Sequence, residues 1–282
     1  MKKFLCIICS LLIIFTISSC DNSQNDVLDQ TTTTERKMTL VDGANGTVYA
    51  PVYDDVAENP YKAENFTLDG NFLKYEDDSY TSLCGIDISQ FQGDIDFTAV
   101  KNCGVDFVIM RVGYRGWGTA GTIKTDDNFH INFENAKNAG LLVGVYFYSQ
   151  AVTTEEAIYE AEYVLNELSG LTLDLPVFFD WENSGNEGAR TEGVAADTIN
   201  DCAYAFCKHI SENGRTAGVY FYQDLAYNTY DISLLDSFVI WHSEPGDYPK
   251  LCYAIDMWQY SYEGKVDGID GNVDLNLMFK AK

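Results

Sequence analysis

PVFFDWE, residues 176–182, decides how the rest of this chain is read. Four apolar or cyclic residues lead straight into Asp180, Trp181 and Glu182. A short apolar run of this kind fits a strand buried on both faces, as in a parallel sheet. Strand side chains alternate, so Asp180 and Glu182 share one face with Cα atoms about 7 Å apart, while Trp181 faces the other way. Two acids at the end of such a strand are costly unless the protein uses them. The competing reading is that they cap a helix or sit solvated in the loop suggested by 183–188.

Outward from this strand, apolar runs of strand length alternate with helical patterns. The strand candidates are 84–88, 107–112, 142–148, 176–181, 217–222, 238–241, 254–260 and 273–277; the helical ones are 97–102, 128–139, 155–168 and 195–212. Strands alternating with helices predict βαβ units. Eight strands in about 200 residues predict an α/β fold, an irregular (β/α) barrel of TIM-like type with mainly parallel strands. Long helices are lacking between the late strands, so the second half should carry reduced helices. An open doubly wound sheet is the alternative, but no G-x-G-x-x-G follows the first strand.

The chain has 282 residues, with 43 Asp plus Glu against 18 Lys plus Arg, a formal charge of −25. That excess argues against a nucleic-acid partner, whose phosphates would be repelled. Three histidines make a multi-His metal site improbable on composition.

Residues 1–19 read as a signal peptide: Lys2 and Lys3, then an apolar run over 4–17 that is shorter than the ~20 residues a spanning helix needs. The ending Ile17-Ser18-Ser19-Cys20 resembles the lipobox of bacterial lipoproteins, which predicts lipidation at Cys20 and a place in the cell envelope, lipid-anchored and extracytoplasmic. An ordinary secretory signal is the plainer alternative. Residues 20–36 read as a flexible tether, 37–80 as an acidic extension of no assignable fold, and 81–282 as the barrel. Five cysteines lie beyond Cys20: Cys84, Cys103, Cys202, Cys207 and Cys252. Free buried thiols are the leading expectation; a Cys84–Cys103 bridge is the alternative in an oxidising compartment.

Two further acids sit between apolar neighbours on candidate strands, Asp87 in GIDIS (85–89) and Asp274 in VDLN (273–276). First and last strands adjoin in a closed barrel, so both should meet Asp180 and Glu182 at one mouth. Clustered carboxyls suit glycoside hydrolysis, in which crowding keeps one of them protonated to serve the leaving oxygen. A cation site is the rival use. Aromatic residues favour sugar: Tyr146 and Tyr148 share a strand face, as do Tyr220 and Tyr222, and Trp241, Trp258 and Tyr260 end two more strands.

The stretch 82–279 resembles the glycoside hydrolase family 25 lysozymes, the Chalaropsis-type muramidases. The matching segments are GIDISQFQGDIDF (85–97), DFVIMRVGYRGWG (106–118), GLLVGVYFYSQA (140–151), PVFFDWE (176–182), MWQYS (257–261) and GIDGNVDLNL (268–277). The resemblance implies a barrel enzyme cutting the β-1,4 bond between N-acetylmuramic acid and N-acetylglucosamine in peptidoglycan, with a retaining outcome. It implies Glu182 as general acid/base, Asp180 as the partner that stabilises the intermediate or assists the substrate's acetamido group, Asp87 and Asp274 as further acids of the site, and no metal or organic cofactor. Tyr146, Tyr148, Tyr220, Trp241, Trp258 and Gln259 are the expected substrate-binding residues. A monomer acting on glycan strands is expected, held to the membrane by its lipid. A chitinase-like glycosidase would want Asp at position 178, where Phe178 stands; a catalytically inactive glycan-binding lipoprotein is the non-enzymatic alternative. The sequence departs from the family pattern after Trp241, where His242-Ser243-Glu244-Pro245 replaces an apolar residue, Ala and an aromatic.

Overall fold

The computed structural model describes residues 37–43 and 46–282. The expected signal peptide, lipidated Cys20 and tether lie outside the described residues. In chain order the strands are β1 (Met38–Gly43), β2 (Gly46–Pro51), β3 (Phe66–Asp69), β4 (Phe72–Tyr75), β5 (Tyr80–Ile88), β6 (Phe107–Arg115), β7 (Ile123–Thr125), β8 (Leu142–Ser149), β9 (Val177–Trp181), β10 (Ala217–Tyr222), β11 (Val239–Ser243), β12 (Met257–Gly264) and β13 (Val273–Ala281). The helices are α1 (Phe97–Asn102), α2 (Phe129–Asn138), α3 (Thr154–Glu167), α4 (Ala196–Glu212), α5 (Gln223–Asn228) and α6 (Ile232–Leu235).

Eight strands close on themselves in the order β5-β6-β8-β9-β10-β11-β12-β13, with β13 returning to β5. Every pairing from β5 round to β12 is parallel, but β13 runs antiparallel to both neighbours. The barrel is therefore mixed, which corrects the expectation of a TIM-like arrangement in its last strand. The physical reason is the connection. Between β12 and β13 the chain has no crossover helix, and a short link can join only antiparallel neighbours. Helices are few on that side: α5 and α6 are short, and none follows β11 or β12.

Alternation along the strands separates two cores. Inside the barrel lie Phe107, Ile109, Phe178, Tyr220, Trp241 and Met257. Outside, residues such as Val108, Val143, Phe147, Val177, Phe179 and Val219 join the faces of the covering helices. In α4 the buried residues Ile199, Ala203, Phe206 and Ile210 recur at helical spacing and form its packed stripe. Asp96 caps α1 by accepting from the backbone N–H groups of Thr98 and Ala99, and Thr153 caps α3 through Glu156 N–H.

Residues 37–79, unreadable as a fold from sequence, form two antiparallel hairpins, β1–β2 and β3–β4. They lie against the barrel wall. Tyr61 stacks on Phe279 with ring centroids 3.6 Å apart, and its hydroxyl donates to Ile255 O at 3.0 Å. Asn59 Nδ2 donates to Leu251 O at 2.9 Å, and Tyr253 Oη to Pro51 O at 2.6 Å. All five described cysteines are unpaired, so the possible Cys84–Cys103 bridge is not formed. Cys84 Sγ instead points at Leu73 O, and Cys103 Sγ at Val100 O. Among the described residues no helix is long and apolar enough to cross a membrane.

Candidate active site

At the end of the barrel where the parallel strands finish, Asp87, Tyr146, Tyr148, Asp180, Glu182, Tyr220, Trp241, Gln259 and Asp274 line one cleft of about 160 Å3. The alternation of β9 turns Asp180 inward, in register with Tyr148 on β8 and Tyr220 on β10. Glu182 follows just beyond the strand. Asp274 reaches the same mouth from the opposite chain direction. It stands at the start of β13, directly across from Asp87 near the end of β5. The antiparallel last strand is what brings it there.

Asp87 is held firmly. Its Oδ2 accepts from Gln259 Nε2 at 2.7 Å and from Asn276 Nδ2 at 2.8 Å. Burial, with the Asp274 carboxylate beside it, nevertheless pushes Asp87 well above the usual carboxylate range. Burial raises Asp274 to about 6. Two adjacent carboxyls in one dry site cannot both ionise easily, so the pair holds a proton between them at mildly acidic pH.

Asp180 and Glu182 form a second such pair. Burial raises Asp180 strongly, with Glu182 and Asp87 adding to it, while the Arg111 guanidinium acts in the opposite direction. Asp180 Oδ1 has no hydrogen-bond partner among the described residues. A buried acceptor left open in this way is poised for a ligand or water. Burial raises Glu182 too, and the Asp274 charge contributes. The Glu182 backbone is fixed from outside the cleft: Gln150 Nε2 donates to Glu182 O at 2.6 Å, and Trp181 Nε1 donates to Ala151 O at 3.1 Å.

The expected substrate-binding residues divide. Tyr146 and Tyr148 are half-buried on the wall. Trp241 lies at the base, 2% exposed, with its Nε1 donating to Asn276 Oδ1 at 2.9 Å and its ring edge-on to Tyr220. Gln259 bridges the site, donating to Asp87 and accepting from Tyr220 Oη at 2.9 Å. Trp258 is the exception. Neighbouring strand residues point to opposite faces, and since Gln259 faces in, Trp258 faces out. It is fully buried beside Phe66 and Tyr260, donates to Glu244 O, and does not line the cleft. Tyr260 shares that outer face.

Several residues at the site were not singled out from sequence. Arg111 interrupts the apolar run over 107–112 in β6, two positions beyond inward-facing Ile109; the alternation alone could have found it. Asp126 pins it: one carboxylate oxygen accepts from Nε at 2.8 Å and lies 2.7 Å from Nη2 as an ion pair. Asn276 sits two residues past Asp274 and was legible by the same rule. Gln150 had no local signal, because its role depends on a partner 32 residues away. Among the described residues, no group of three or more His, Cys, Asp or Glu is arranged to hold a metal ion.

Residues 86–269 match the family model for glycosyl hydrolases family 25. The chain belongs to that family. It is 33% identical over 193 residues to the autolytic lysozyme of Clostridium acetobutylicum, covering 68% of this chain and 54% of that protein. It is 28% identical to lysozyme M1 of Streptomyces globisporus, covering 68% of this chain and 66% of the relative. The match thus spans just over half of the first relative and about two thirds of the second. Among solved structures, the modular autolysin LytC of Streptococcus pneumoniae superposes with a TM-score of 0.62 at 20% identity, over 86% of this chain and 56% of that one. A family 25 glycosyl hydrolase from Bacillus anthracis gives 0.59 at 22% identity, over 70% and 88%. These likenesses concern the fold.

Proposed function

We propose that this protein is a muramidase, hydrolysing the β-1,4 linkage between N-acetylmuramic acid and N-acetylglucosamine in peptidoglycan. The observation that carries the reading is the convergence of Asp87, Asp180, Glu182 and Asp274 on a single cleft walled by tyrosines. The related lysozymes give the substrate class its support. Glu182 is the proton donor: the least deeply placed of the inner pair, raised by burial, and fixed through its backbone by Gln150. Its proton passes to the glycosidic oxygen as the C1–O bond breaks and the bonding pair leaves with that oxygen. Asp180 sits beneath the developing positive charge and stabilises the intermediate. Water then attacks C1 and returns a proton to Glu182, giving a retained product. Asp87 and Asp274 hold the field and hydrogen bonding around the pair. A cleft of about 160 Å3 is smaller than the ~300–1,000 Å3 of a typical enclosed ligand pocket, so the glycan would lie across the mouth rather than inside it.

The test is Glu182→Gln, which keeps shape and removes the proton. Its kcat on purified peptidoglycan should fall roughly 10²- to 10⁴-fold with an unchanged melting curve; a near-normal rate would remove Glu182 from the donor's role. Analysis of the reducing ends tests the bond, since muramic acid must appear there.

The same proposal places the enzyme in the cell envelope, extracytoplasmic and lipid-anchored at Cys20. Mass spectrometry of the mature N-terminus should find a diacylglycerol-modified cysteine, and an unmodified secreted form would refute the anchor.

A further inference from the structure

A second, larger depression adjoins the cleft. It has a volume of about 720 Å3 and is lined on one side by Met38, Val48 and Tyr49 of the β1–β2 hairpin, and on the other by Tyr222, Glu244 and Tyr262 of the barrel. The two depressions are neighbours. Tyr222 ends β10, two residues beyond Tyr220 of the acid cleft, and its pKa is raised by burial and then by Glu182. Tyr262 is raised by burial and, among smaller causes, by Asp274, Glu182 and Asp87; its hydroxyl is 2.6 Å from Ser243 Oγ. The groove thus opens beside the catalytic acids, and its far wall belongs to a hairpin outside the residues matched by the family model.

We infer that the β1–β2 hairpin completes an additional sugar-binding subsite, which holds the glycan strand beyond the scissile linkage and makes the enzyme favour long strands. This rests on the muramidase reading and extends it. Tyr49 and Tyr262 are 62% and 47% exposed, so both offer apolar ring area at the surface, as sugar faces require. The polar lining is Gln223, Asp224, Asn228, Ser243 and Glu244, with no Lys or Arg among the lining residues. Such a wall takes neutral hydroxyl and acetamido groups and disfavours free carboxylates, which selects the glycan over its acidic peptide branches. Glu244 is 3% exposed; its Oε2 accepts from Lys250 N at 2.9 Å, and its Oε1 has no hydrogen-bond partner among the described residues. A buried carboxylate oxygen with spare acceptor capacity suits a sugar N–H or O–H. The departure of the 242–245 segment from the family pattern falls on this wall.

The experiment compares the full chain with Tyr49→Ala on two glycan fragments of alternating N-acetylglucosamine and N-acetylmuramic acid, a tetrasaccharide and an octasaccharide, each with its lactyl carboxyls capped as amides, as they are where peptide is attached. Cleavage is measured directly, and affinity by calorimetry in the Glu182→Gln background. Tyr49→Ala should reduce the octasaccharide-to-tetrasaccharide ratio of kcat/KM, and of affinity, by roughly three- to tenfold. Tyr159→Ala, an exposed tyrosine on α3, should leave both ratios unmoved. Cleavage whose length preference survives Tyr49→Ala would overturn the subsite. Length-dependent, Tyr49-dependent affinity without cleavage would sink the hydrolytic reading and keep the groove. Neither cleavage nor affinity would remove both.

Discussion

At the scale of single residues, the site is two coupled carboxyl pairs, Asp87 with Asp274 and Asp180 with Glu182. Burial raises all four, so the environment favours a protonated carboxyl without a histidine. The sign of the resulting pH dependence follows. With Glu182 as the proposed donor, which works only while protonated, kcat/KM should fall as pH rises through its raised value. The Asp274 charge is one cause of that elevation. Asp274→Asn removes it, and the alkaline limb of the pH–rate profile should move to lower pH. A limb that stays in place would show that Asp274 does not act on the donor electrostatically.

At the scale of elements, the barrel interior narrows where bulky rings replace missing side chains. Gly85, two residues before Asp87 on the inward face of β5, is the clearest case: a Cβ there would lie 2.2 Å from the Phe107 ring. Gly218 stands in the same relation to Phe178 on the opposite side. Gly85→Ala should therefore cost about 1–3 kcal/mol by overpacking. It should also disturb the site, because β5 carries Asp87 and the Asp87–Asn276 bond crosses to β13. The measurements are urea denaturation and kcat on the same variant. A stability change below about 0.5 kcal/mol would mean that Phe107 relocates freely, and that β5 is not fixed by this contact.

At the scale of the whole molecule, acidification should stabilise the fold before it harms it. Glu160 is buried between Arg115 and Ser149, at 2.5 Å from each, yet burial outweighs both and raises it to about 7; Asp274 is raised to about 6. Carboxyls raised in the folded state stabilise it most below their unfolded values and lose that contribution as pH climbs through about 6 to 7. Glu156 and Asp174, lowered in the fold by their partners, lose theirs only at more acidic pH. The charge of −25 repels itself less as carboxyls protonate. Lowering pH from 7.5 to 5 should thus raise Tm by about 5 °C, on the basis of roughly 2–4 °C per kcal/mol for a chain of this size. A flat or falling Tm across that range in differential scanning calorimetry would contradict the account.

The alternation of apolar strands and helical stripes made the closed barrel legible, and the inward parity of PVFFDWE paired Asp180 with Glu182, because both are local properties of period. The hairpins of 37–79 were not legible. The segment between them is tied to the barrel by Tyr61 on Phe279 and Asn59 on Leu251, contacts spanning about two hundred residues. Local pattern also misplaced Trp258, since an aromatic-rich strand reads alike from either face until a neighbour such as Gln259 is seen to bond Asp87. The sequence by itself determined the eight strands and the four acids. Only the tertiary structure decided that β13 runs backwards, that Asp274 meets Asp87 from the opposite direction, and that an N-terminal hairpin borders the groove. Those outcomes depend on which distant groups bury one another, which no local period encodes.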